Sequence, residues 1–147
     1  MSHHTYLAGS WFRKSEISKV RDLLEQRYFP HLKVTSSWLN DPDGPHDTER
    51  EMSRDAKRAL AIRDLEDIER SDSIILFTRG STPTPGGGRH FELSHAWNQK
   101  KLCMVVGEHE HIFMSLPRIH SFVNLADLLE YLDSVDLRVG FNIVGGR

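Results

Sequence analysis

Two acidic side chains, Asp64 and Glu92, have the type and setting to do chemistry in this chain. Glu92 ends the run Thr84-Pro85-Gly86-Gly87-Gly88-Arg89-His90-Phe91-Glu92. Ahead of that run lies Ser73-Ile74-Ile75-Leu76-Phe77-Thr78, β-branched and apolar, which reads as a buried strand. Behind it the spacing turns helical, with Phe91, His95 and Asn98 on one side and Leu93, Ala96 and Trp97 on the other. The order is strand, glycine-rich loop, helix. Such a loop lets a ligand approach the backbone closely, and a helix start offers free N–H groups to an anion. Glu92 is expected in the first turn, where the macrodipole favours an ionised carboxylate. An ionised carboxylate at the mouth of a sheet is a candidate nucleophile. The same letters would also make an ordinary first-turn acid on a surface helix.

Asp64 falls near the end of a predicted helix from Thr48 to Arg70, whose N-cap is read as Thr48 or Asp47. Leu60, Ala61 and Ile68 stand four, three and four residues from it, so Asp64 shares an apolar face. Asp67 neighbours Arg63 and Arg70 and is expected in solvent. Burial would raise the pKa of Asp64, suiting it to hold or exchange a proton. A slight rotation of the helix would instead leave it at a solvated boundary. One protonated and one ionised carboxyl is the arrangement that breaks glycosidic bonds through a covalent sugar intermediate.

The elements that must position this pair alternate. Strands are predicted at 4–8, 33–38, 73–78, 102–106 and 121–123; helices begin near Ser15, Thr48, His90 and Leu125. Ile17, Val20, Leu23 and Leu24 form the stripe of the first helix. The segment 40–47, with two prolines, and the segments 79–89 and 107–117 read as loops. Strand–helix alternation predicts an α/β domain: a parallel sheet with helices on both faces and ligands at the carboxyl ends of the strands. That edge collects Gly9, Ser10, Trp11 and the three loops. Residues 137–147 mix apolar residues with glycines and are not placed, a possible irregular tail on a single domain spanning 1–147.

Composition narrows the class. The 147 residues suffice for one domain with a real core, and a 38% hydrophobic, 27% charged mixture reads as globular. A net charge of −2 argues against a general nucleic-acid binder. No apolar run approaches the roughly 20 residues of a membrane span. The one cysteine, Cys103, sits in an apolar run and fits a reduced, cytoplasmic protein.

Three segments carry a resemblance: Tyr6-Leu7-Ala8-Gly9-Ser10, then Asp64-Leu65-Glu66-Asp67-Ile68-Glu69-Arg70-Ser71-Asp72, and Gly87-Gly88-Arg89-His90-Phe91-Glu92-Leu93. In this order, over about residues 4–134, the chain resembles the nucleoside 2-deoxyribosyltransferase family, including the related 2′-deoxynucleoside 5′-monophosphate N-glycosidases. The resemblance implies a flavodoxin-like (Rossmann-like) five-stranded parallel sheet and a homodimer or higher homo-oligomer with shared sites. It implies Glu92 as the nucleophile on C1′, Asp64 as manager of the leaving base's proton, and Tyr6 beside nucleophile and sugar. A neighbouring subunit would contribute His111 or Ser115. No cofactor or metal is implied, and the partner is a small nucleoside or nucleotide. The chain lacks a counterpart of the long transferases' C-terminal extension, which counts against base transfer.

For binding, Trp11, Trp38 or Phe12 could stack on the base, although a buried tryptophan serves equally as core. Gly87, Gly88 and Arg89 at a helix start, or Ser10 and Arg13 after the first strand, would suit a 5′-phosphate. His90-Phe91-Glu92-Leu93-Ser94-His95 is not a zinc-protease motif, because its histidines stand five apart, about 140° round a helix. Glu108-His109-Glu110-His111 reads as a solvated turn before it reads as a metal site. The phosphoribohydrolases related to lysine decarboxylases place glutamate eight residues after the proline, whereas here Glu92 is seven after Pro85. A catalytically silent nucleotide-binding or signalling module on the same fold is the competing class. Such a module would tolerate glutamine at position 92.

Overall fold

The computed structural model describes residues 2–42, 52–78, 80 and 86–137. Five strands, β1 (His3–Ala8), β2 (Leu32–Val34), β3 (Ser73–Phe77), β4 (Leu102–Val106) and β5 (Ile119–Phe122), form one sheet in the order 2-1-3-4-5. Every neighbouring pair is parallel; Tyr6 lies level with Ile74, and Ile75 with Met104. The helices are α1 (Lys14–Arg27), α2 (Arg54–Glu69), α3 (Gly88–Asn98) and α4 (Leu125–Ser134). This is the flavodoxin-like α/β architecture expected above. Helices α2 and α3 pack together on one side. Helices α1 and α4 are tied on the other, where Asp133 accepts hydrogen bonds from Arg27 Nη2 (2.6 Å) and Tyr28 Oη (2.8 Å).

The central strands are apolar because both of their faces are covered. All of β3 is buried, as are Cys103 to Val106 of β4. Ile17, Val20 and Leu24 press one side, and Leu93 and Ala96 belong to the same core. Leu23, expected in the stripe, is 38% exposed. Each fully buried aliphatic side chain contributes roughly 1.5–3 kcal/mol relative to exposure. None of the described helices is long and apolar enough to cross a membrane.

Boundaries shift from expectation at β2, α2 and β5 among others, the first two for a local reason. Strand β2 ends at Val34 because Ser36 leaves the ladder: its Oγ accepts from Leu7 N (2.6 Å) and donates to Leu7 O (3.1 Å). A hydroxyl there replaces a backbone partner, and Ser37–Asn40 become a 3-10 turn. Helix α2 begins at Arg54, where Ser53 Oγ accepts from Ala56 N at 3.1 Å. Asp47 and Thr48, expected as its cap, lie outside the described residues, as do the expected tail from 138 and loop residues 79 and 81–85. Strand β5 starts two residues earlier and ends one earlier than the expected 121–123.

Candidate active site

Tyr6 on β1, Asp64 on α2 and Glu92 on α3 come together on the α2–α3 side of the sheet. The Tyr6 ring is wholly buried, and its hydroxyl donates to Glu92 Oε2. Burial, followed by the charges of Glu92 and Asp64, drives the Tyr6 pKa far up, so the phenol remains a donor. Glu92 is half-buried as a residue, and its carboxyl is strongly desolvated. Burial pushes its pKa up to about 8; the Tyr6 hydrogen bond opposes this, and the charges of Asp64 and Asp67 add to it. Helix α3 starts at Gly88, so Glu92 stands one residue past the first turn. The expectation that the macrodipole keeps it ionised therefore fails, since that effect fades beyond the first turn while desolvation does not.

Asp64 is part-buried, and its pKa is raised, first by burial, against the lowering effect of Arg63. Arg63 Nη2 and Nε approach Asp64 Oδ1 at 3.2 and 3.4 Å. The expected face of α2 is rotated: Ala61 is exposed and Leu60 half-buried, while Ile68 is fully buried. The expectation for Asp67 is overturned. It is 1% exposed, its Oδ2 accepting from Ser37 N (2.8 Å) and its Oδ1 from Arg70. The 3-10 turn folds over this carboxylate and supplies the amide that lets it be buried. Its position three residues after Asp64, on the same helix face, was the signal available in the sequence.

The expected binding residues divide. Trp38 is core: it is 6% exposed and its Nε1 donates to Leu7 O at 2.9 Å. Trp11 is half-buried, its ring centroid 6.0 Å from that of Trp38 and 4.8 Å from Lys14 Nζ. Phe12 is 55% exposed. Ser10 Oγ accepts from Phe12 N (3.3 Å) and caps the turn Trp11–Arg13. Gly9 has a packing reason to be glycine, since an added Cβ would meet Ile17 Cδ1 at 2.4 Å. Gly87 and Gly88 open α3 with no side-chain cap.

Arg13, Gly87 and Arg89 line a cavity of about 1150 Å³ at the carboxyl edge, floored by Ile17, Phe77 and Val106. Tyr6, Asp64 and Glu92 do not line it. Its cations are already engaged. Arg13 donates to Glu16 at 2.7 and 2.9 Å and to Thr78 O. The Arg89 guanidinium is buried, donating to both Glu110 carboxylate oxygens and to Gly86 O. Glu110 turns its carboxylate to Arg89, yet Glu108, His109 and Glu110 are exposed, as the solvated turn expected for 108–111 requires, and His109 Nε2 meets Ser121 Oγ at 2.7 Å. His111 Nε2 lies 3.0 Å from His90 Nδ1, against its own α3, whereas Ser115 is exposed. Among the described residues no group of three or more His, Cys, Asp or Glu side chains is arranged to hold a metal ion.

A parallel sheet of order 2-1-3-4-5, with carboxyls grouped about a buried strand tyrosine, defines a flavodoxin-like α/β protein with a candidate site of interacting acids. Among solved structures its fold is similar to that of the CMP N-glycosidase BcmB of Clostridium botulinum. The TM-score is 0.53 at 19% identity, over 90% of this chain and 99% of that chain, a likeness of fold. No protein-family model and no curated protein sequence matches the chain.

Proposed function

We propose that this chain cleaves the N-glycosidic bond of 2′-deoxynucleosides or their 5′-monophosphates through a covalent glycosyl–Glu92 intermediate. The observation that carries the reading is the hydrogen bond from buried Tyr6 to Glu92, within reach of the charge on Asp64. Ionised Glu92 attacks C1′, the C1′–N bond electrons pass to the base, and Asp64 delivers the proton that lets the base leave. Tyr6 aims the attacking carboxylate. Water then opens the ester, returning a proton to Asp64 and freeing the sugar; a second base in place of water would make the reaction a transfer. The reacting form holds one proton across the two carboxyls, so kcat/KM should trace a bell whose alkaline limb lies near pH 8. A sugar lacking its 2′-hydroxyl forms the C1′ cation more readily, which favours deoxyribose.

The name of the structural neighbour favours a nucleoside monophosphate and water as acceptor. Exposed Phe91, Ile112 and Phe113 support a homo-oligomer in which residues 107–117 reach a neighbour's site. The test is product analysis over deoxynucleosides, their monophosphates and the matching ribonucleotides, with and without a second free base. Free sugar or sugar phosphate unaffected by added base supports the hydrolase; exchange that outpaces release supports a transferase. No cleavage of any member of the panel defeats the proposal.

A further inference from the structure

Resting on the glycosidase reading above, we propose that Arg63 is a positioning residue that decides which oxygen of Asp64 carries the proton. Side chains at i and i+1 of a helix do not face each other. Arg63 nevertheless reaches back to Asp64 because Asp41 holds it from across the gap. Its Nη1 and Nη2 donate to Asp41 Oδ1 and Oδ2 at 2.7 and 2.9 Å, the two-pronged geometry of a strong guanidinium–carboxylate pair. Asp41 is itself anchored, since its carbonyl accepts from Lys14 Nζ, and Asn40 Oδ1 next to it accepts from Arg21 at 2.9 Å. The clamp thus joins α1, the turn after β2 and α2.

Held in this way, Nη2 and Nε of Arg63 meet only one oxygen of Asp64, Oδ1. Both of these contacts fall on Oδ1, and among the described residues none is made to Asp64 Oδ2. The carboxyl is therefore unsymmetrical. A proton is disfavoured on the oxygen that faces a permanent cation, and Oδ2 is left to carry it. A general acid works only when its proton points at the atom that receives it. After transfer, the same guanidinium stabilises the carboxylate left behind. It also limits how far burial lifts the affinity of Asp64 for its proton.

The experiment measures kcat and KM across pH for Arg63→Gln, Arg63→Lys and Asp41→Asn in the full chain, with thermal melts to establish folding and Glu92→Gln alongside. Arg63→Gln should lower kcat by roughly 10- to 100-fold with KM within about threefold, and move the acid limb to higher pH. Arg63→Lys, which keeps the charge and loses the fork, should restore the limb while leaving kcat low. Asp41→Asn should lower kcat in the same direction but less. A parent-like pH profile in folded Arg63→Gln, or a loss lying wholly in KM, overturns the assignment. Should Arg63→Gln not fold, Arg63→Lys decides alone: reduced kcat on the parent limb supports the role, and parent kcat removes it. A Glu92→Gln variant that still turns over defeats the glycosidase reading itself. An inert Glu92→Gln beside a parent-like Arg63→Gln defeats only the role of Arg63.

Discussion

The two sides of the carboxyl edge are built on opposite principles. On the α2–α3 side, acids crowd around a buried phenol, and burial raises the proton affinity of Asp64 and Glu92. Between the amino ends of α1, α3 and α4 lies an open cavity, whose arginines are already paired with Glu16 and Glu110. Volume and reactivity have parted company. A chemist drawn to that open cavity would land beside neutralised ion pairs, whereas the perturbed groups do not line it. Under the proposed function the contrast becomes a division of labour to be tested, in which the crowded side would break the bond and the open side would take the rest of the substrate.

The sharpest way to break that division is Glu92→Gln. Turnover should fall at least ~1,000-fold, about 4 kcal/mol of transition-state stabilisation, measured by release of free base. The same change should make the protein more stable in alkali. The folded-state pKa of Glu92 is raised from its ordinary value to about 8, so the folded form holds the proton more tightly. Stability from this group is full below the ordinary carboxylate range and is lost as pH rises toward 8; glutamine removes that loss. A thermal melt at pH 8 should show a gain of roughly 5 °C, with little gain at pH 4.5.

Next in size is Tyr6→Phe, expected to cost roughly 10- to 100-fold in kcat by losing one aiming hydrogen bond. Because that bond lowers the Glu92 pKa, its removal should shift the alkaline limb of kcat/KM upward, a movement that a mere packing defect would not produce. On the other side of the edge, Arg13→Ala should leave kcat nearly intact. If the cavity takes the 5′-phosphate, KM for monophosphates should rise roughly tenfold while KM for nucleosides stays put; equal effects on both would remove the phosphate from that side.

The smallest effect on turnover belongs to His3, at the far amino edge of the sheet. Burial pushes its pKa down to about 4, and its Nε2 meets Ser73 Oγ at 2.8 Å. Here the sign runs the other way. Its contribution is full above pH 6.5 and is lost as pH falls toward 4. Equilibrium unfolding should show up to ~3 kcal/mol of acid destabilisation over that window, absent in His3→Gln, with kcat unchanged at neutral pH.

The alternation of strands and helices and the parallel sheet were legible because they follow from period and from connection rules, which act over many residues at once. The flavodoxin-like sheet and the roles of Asp64 and Glu92 were instead implied by the family resemblance. What escaped was set by single contacts. Asp67 sat between two arginines in the sequence and looked wet, yet a backbone amide from Ser37, thirty residues earlier, made its burial possible. Nothing local to 63–70 encodes that partner. Arg63 and Asp41 were hidden in the same way, as a pair separated by a loop and joined only in three dimensions. Glu92 shows the reverse error. A short-range rule about helix ends was applied where solvent exclusion by the whole fold outweighed it.

The hydroxyl of Ser36, gripping both backbone groups of Leu7, has a wider implication. Where β2 peels away, the flank of β1 would otherwise be a row of vacant hooks, an invitation to stray chains. Ser36, with the Trp38 indole on the same carbonyl, closes those hooks without laying down more strand. The stretch of β1 that carries Tyr6 is thereby kept from pairing with a foreign strand.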